Sequence, residues 1–78
     1  MEELVKYIVN ALVENKEAVA VSSEETEKET VIHVSVAKED MGKVIGRHGK
    51  IAESIRSIVK TSASGTSKKY FVKFEEAE

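Results

Sequence analysis

Leu4, Ile8, Ala11 and Leu12 recur at i, i+4, i+7 and i+8, and Val5, Val9 and Val13 widen the same stripe. This is the spacing of an amphipathic helix, predicted over residues 2–15. Asn15 suits its C-terminal end, and Lys16 complements the negative pole of the helix dipole. Residues 18–23 alternate weakly, with Val19 and Val21 on one side. Residues 30–37 alternate clearly: Ile32, Val34 and Val36 point one way, His33 and Ser35 the other. The polar connector Ser22–Glu29 joins the two as an antiparallel hairpin with one buried face. Residues 39–45 predict a short helix with acids at its start. Residues 50–62 predict a longer one, with Ile51, Ile55, Ile58 and Val59 inward and Glu53, Arg56 and Lys60 outward. A serine-rich loop over 61–67 leads to a last strand over 69–74. There Tyr70, Val72 and Phe74 alternate with Phe71. Phe71 is thereby directed to the sheet face away from the helices, where a large apolar group marks a partner surface.

The order is α-β-β-α-α-β. A two-helix crossover between the second and third strands sets them parallel, while the hairpin is antiparallel. The expected fold is α+β: two layers, with a three-stranded mixed sheet carrying its helices on one face. At 78 residues there is room for one domain, 1–78. A core this small is marginal and favours partners. There is no cysteine, so neither disulfides nor a thiolate zinc site can supplement it. The sequence implies no metal and no cofactor. It contains no apolar run long enough for a membrane span or a secretory leader, which makes the cytoplasm the expected location.

The net charge of −2 conceals a segregation. Residues 1–40 hold four basic and ten acidic residues. Residues 41–73 hold eight basic residues and one acid, Glu53. Such a basic block is an anion-binding footprint on a nearly neutral chain, or else a solvated helix face and strand edge.

Gly46-Arg47-His48-Gly49 falls between the two crossover helices. Glycines on both sides let backbone approach a ligand without an intervening Cβ. The helix that follows presents N–H groups and a partial positive charge, a site for phosphate. Lys43, Arg47 and Lys50 add cations, and His48 adds a titratable group. The nucleotide loops do not fit. Val44 and Ile51 occupy the first and last positions of a Walker A motif, and Val44 stands where a dinucleotide fingerprint needs glycine. No serine has a histidine and acid in a recognisable nucleophile motif, and His33 lacks an organised partner. The glutamates at 24, 25, 27 and 29 lack a calcium-loop pattern. The chain is not expected to be an enzyme.

Val44-Ile45-Gly46-Arg47-His48-Gly49-Lys50-Ile51 resembles the V-I-G-x-x-G-x-x-I signature of KH domains. The last isoleucine comes early here, and Ala52 stands in its place. The element order is similar to the type II KH arrangement across essentially the whole chain. Gly42-Lys43-Val44-Ile45-Gly46-Arg47 and Ala52…Ile55-Arg56 resemble the central segment of the small bacterial single-KH KhpA/YlqC family. The resemblance implies a non-catalytic RNA-binding protein, an RNA chaperone or post-transcriptional regulator. Gly46, Arg47, His48 and Gly49 would hold the backbone of single-stranded RNA. Lys43 and Lys50 would assist. Val44, Ile45 and Ile51 would form an apolar floor for bases, the last two being equally suited to the core. Lys68, Lys69 and Arg56 would flank the groove. Aromatic stacking is expected to matter little, since no aromatic lies near the glycine loop in sequence. The family also implies a homodimer or a larger Jag-like KH partner. This leaves a second reading, a dimerisation subunit that binds RNA only jointly with its partner.

Overall fold

The computed structural model describes residues 1–65 and 68–77. Residues 66 and 67 of the serine-rich loop lie outside the described residues. Helix α1 (Glu2–Leu12) is followed by a 3₁₀ turn, the hairpin strands β1 (Ala20–Glu25) and β2 (Glu29–Val36), and a second 3₁₀ turn. Then come α2 (Met41–Ile45), a 3₁₀ turn at Arg47–Gly49, α3 (Lys50–Ser62) and β3 (Lys69–Glu76). The sheet order is β1-β2-β3. β1 pairs antiparallel with β2, Val21 opposite Val34; β2 pairs parallel with β3, Ile32 opposite Val72. This is the mixed α+β sheet expected from the element order.

The core lies between the sheet and the helices. Ile32, Val34 and Val36 of β2 meet Val5 and Val9 of α1, Val44 of α2, Val59 of α3 and Val72 of β3. The cluster is almost all valine. Its branched side chains fill the pleated surface of β2 tightly, and each buried one stabilises the fold by about 1.5–3 kcal/mol. The centre of the α1 stripe is Val5, Val9 and Val13, all buried, with Leu4, Ile8 and Leu12 flanking and Ala11 exposed. In α3 the buried face is Ala52, Ile55 and Val59. Ile58 lies off that face and is 42% exposed, contrary to the stripe expected from its spacing.

Three boundaries differ from the pattern, each for a tertiary reason. α1 ends at Leu12 and not at residue 15, because the backbone is already extended at Val13. Beyond it, the N–H groups of Glu14 and Asn15 donate to the carboxylate of Asp40, at 3.3 and 3.0 Å. Lys16 does close this helix end, its Nζ donating to the carbonyl of Val13 at 3.1 Å. β1 starts later and runs further than its apolar alternation, because a tight turn closes at Thr26, whose N–H donates to Glu29 O at 2.8 Å. β3 extends to Glu76, opposite Val36, since β2 offers a pairing edge along its whole length.

Candidate nucleic-acid interface

The loop between α2 and α3 reverses direction through three left-handed residues. Gly46 has φ +75° and ψ 178°, His48 φ +57°, and Gly49 φ +73°. The turn closes through Gly49 N–H donating to Gly46 O at 3.2 Å and Lys50 N–H to Arg47 O. The two glycines are required for different reasons. A Cβ on Gly46 would lie 2.5 Å from Ile51 Cγ1, so Ile51 packs directly on this backbone. A Cβ on Gly49 would meet nothing; there only the dihedral argues for glycine. His48 adopts a left-handed conformation that costs roughly 1–2 kcal/mol for a residue with a Cβ. Its own side chain is thereby set on the exposed outer side of the turn, beside Arg47 and Lys50, both also exposed.

The other expected site residues divide. Val44 is fully buried, so it belongs to the core and is no floor for a base. Ile45 and Ile51 are half-buried, with Ile45 packed on the core and Ile51 on Gly46. Lys43 is not a free cation: its ammonium bridges Glu14 at 3.0 Å and Asp40 at 3.4 Å. The Glu14 hydrogen bond, chiefly, raises the Lys43 pKa. Asp40 is itself buried, and its pKa is lowered mainly by the Asn15 N–H. Lys68 is tied to Glu25 of β1, and that hydrogen bond lowers the Glu25 pKa. Lys69 opens β3 opposite Glu29.

Arg56 reaches β3, and the contact forms a groove. Its Nε donates to Val72 O at 3.3 Å, and its guanidinium carbon sits 5.6 Å from the centroid of the Phe74 ring. The groove, about 300 Å³, is lined by Glu53, Arg56, Ser57 and Lys60 of α3 and Tyr70, Phe71 and Val72 of β3. Lys68 and Lys69 are not among its lining residues. Phe71 is 46% exposed at the sheet edge, and with Tyr70 it gives the groove an aromatic wall. The expectation that aromatics matter little considered only the neighbourhood of the glycine loop in sequence, and the fold places Tyr70 and Phe71 against α3. They are distant from the glycine loop in sequence, but the parallel crossover returns β3 beside α3. The missed signal was topological: the strand after the crossover helix had to border that helix.

The groove starts one helical turn from the glycine loop. Lys50 and Glu53 also share a shallower recess with Ser54, Ser57 and Ile58, which continues the surface from loop to groove. From Lys50 to Lys60 the α3 backbone rises ~15 Å, at about 1.5 Å per residue. On the other sheet face, His33 stands between two acids. Its Nδ1 is 2.9 Å from Glu75, and its Nε2 lies 3.0 Å from Glu24 without hydrogen-bond geometry. The Glu75 contact raises the His33 pKa. Among the described residues no group of three or more His, Asp or Glu side chains is arranged to hold a metal ion, and no helix is long and apolar enough to cross a membrane.

The glycine turn lies between two helices, where the KH signature places it, and the groove beside it runs between α3 and β3. The family model for the KhpA/KhpB KH domain matches residues 2–74. The chain belongs to the KhpA/KhpB family of KH domains. A relative from Caldanaerobacter subterraneus subsp. tengcongensis, named RNA-binding protein KhpA, is 47% identical over 72 residues, covering 92% of this chain and 96% of the relative. The protein of the same name from Listeria monocytogenes is 46% identical over 69 residues, covering 88% and 91%. That of Treponema pallidum is 41% identical over 69 residues, covering 88% and 86%. No solved structure matches the chain. Within this KhpA/KhpB domain, the glycine loop carries Arg47 and His48 at its two variable positions, neither of them acidic.

Proposed function

We propose that this protein binds single-stranded RNA without catalysis. The carrying observation is the left-handed turn at Gly46–Gly49, which sets the exposed Arg47, His48 and Lys50 around the start of α3. There the backbone N–H groups and the helix dipole favour an anion. The groove beside it offers aromatic and apolar surface for bases. The relatives' printed name, RNA-binding protein KhpA, supports the same reading.

The test is a titration of fluorescent single-stranded RNA with wild type and with Arg47→Asp/His48→Asp, with mass followed by light scattering. Two acids placed at the phosphate contact, one of them replacing the Arg47 cation, lower affinity by at least about ten-fold, at unchanged mass. Equal affinity in the variant would sink the assignment of the loop. RNA binding seen only after a protein partner is added would move the joint-binding reading ahead.

A further inference from the structure

Glu53 is out of keeping with its surroundings. It is the only acid between residues 41 and 73, and it lines a groove whose other charged members are Arg56 and Lys60. Arg56 is placed one turn along α3, where an ion pair with Glu53 would be ordinary on a helix surface. It is instead held on β3 by Val72 O and the Phe74 ring. Glu53 is exposed and has no ion pair among the described residues, and Lys50, one turn before it, has none either. The groove therefore presents an acceptor-only carboxylate and a donor-only guanidinium side by side, unneutralised by each other.

A carboxylate repels phosphate, so it is of no use to the RNA backbone. It is of use to a base edge that carries N–H donors. We infer that Glu53, with Arg56, makes this groove select a base bearing an exocyclic amino group, reading cytosine in preference to uracil. The inference rests on the RNA-binding reading above. On cytosine, the N4 amino group donates to the Glu53 carboxylate while N3 and O2 accept from the Arg56 guanidinium. On uracil the pattern is inverted: O4 faces the carboxylate as a second acceptor, and N3–H faces the guanidinium as a second donor. Fixing Arg56 in advance on β3 reduces the ordering cost on binding and sharpens the choice. Tyr70 and Phe71 supply stacking surface, which every base shares and which carries no selectivity.

The experiment compares cytidine and uridine homopolymers of equal length at neutral pH, against wild type, Glu53→Gln and Glu53→Ala. All three proteins are checked for equal melting temperature, which an exposed position should preserve. Wild type is expected to favour the cytidine polymer by about ten-fold. Both variants should bring the two affinities to within about two-fold, with uridine binding strengthened by loss of the repelling carboxylate. Glu53→Ala guards against a glutamine amide that turns to suit either base. Equal binding of the two polymers by wild type overturns this inference and leaves RNA binding standing. So does a cytidine preference that survives in both variants, since it would then arise elsewhere in the groove. Binding of neither polymer by wild type overturns the RNA reading and this inference with it.

Discussion

Gly46 and Gly49 look equivalent in the sequence and are not equivalent in the structure. At Gly46 an added methyl group meets the side chain of Ile51 as well as a left-handed backbone; at Gly49 it meets open space. Gly46→Ala is therefore expected to destabilise the fold by roughly 2–4 kcal/mol, combining the dihedral cost with overpacking. Gly49→Ala should cost only about 1–2 kcal/mol. Urea unfolding of the two variants measures the difference, and equal losses would mean that Ile51 relaxes freely. The spacing of the two glycines was readable from the chain, as were Arg47 and His48 between them. Nothing in the letters distinguishes which glycine is crowded, because the crowding comes from a side chain across a turn whose shape depends on both. The same limit applies to Val44 and Ile45. One is sealed in the core and the other half-buried, and adjacent apolar letters do not say which.

Among the elements, the hairpin, the crossover helices and the parallel last strand follow from period and spacing alone. Where the boundaries moved, a distant partner moved them. Asp40 reads as a dipole-complementing acid at the start of a helix, yet it is a buried clamp joining the chain after α1 to the start of α2, 25 and 26 residues away. Its carboxylate pKa is lowered, first by the Asn15 N–H, so its contribution to stability is present above the ordinary carboxylate value of about 4 and disappears as pH falls through the lower folded value. Wild type should lose urea resistance as acid protonates this clamp. Asp40→Asn should be less stable at neutral pH and should show a flatter acid limb. Identical limbs in the two proteins would mean that the clamp does not titrate with unfolding. His33 acts in the opposite sense. Its raised pKa favours the fold below about pH 6.5 and ceases to do so as pH rises through the folded value.

For the whole molecule, charge is divided more sharply than its total suggests. The acidic first part, residues 1–40, forms α1 and the hairpin, and the basic block, residues 41–73, forms α2, the glycine loop, α3 and the first part of β3, whose end carries Glu75 and Glu76. Two of the basic side chains expected to contact RNA, Lys43 and Lys68, are bound by acids from residues 1–40. Fewer phosphates should therefore be neutralised than the count of lysines implies. With about three contacts on a single strand, log affinity should fall against log salt with a slope near −2. A slope of much larger magnitude would return the bridged lysines to the interface, and a flat one would remove the phosphates from it. The charge segregation itself was visible in the sequence, but its partial cancellation was not, since it depends on which residues the fold brings within reach.

The parallel pairing of β2 with β3 also has a kinetic side. The two strands are neighbours in space but are separated along the chain by α2, the glycine loop and α3. Closing that loop loses entropy before the strand pairing returns any stability, a pattern associated with slower folding than local hairpin formation. β1 and β2 are able to meet early, whereas one edge of β2 must wait. Until β3 arrives, that edge is a bare row of donors and acceptors flanked by valines, which is the kind of surface on which partly folded chains stick to one another. The strand that walls the groove is thus also the one that shields the folding chain, and variants weakening β3 should reveal themselves as aggregates on refolding.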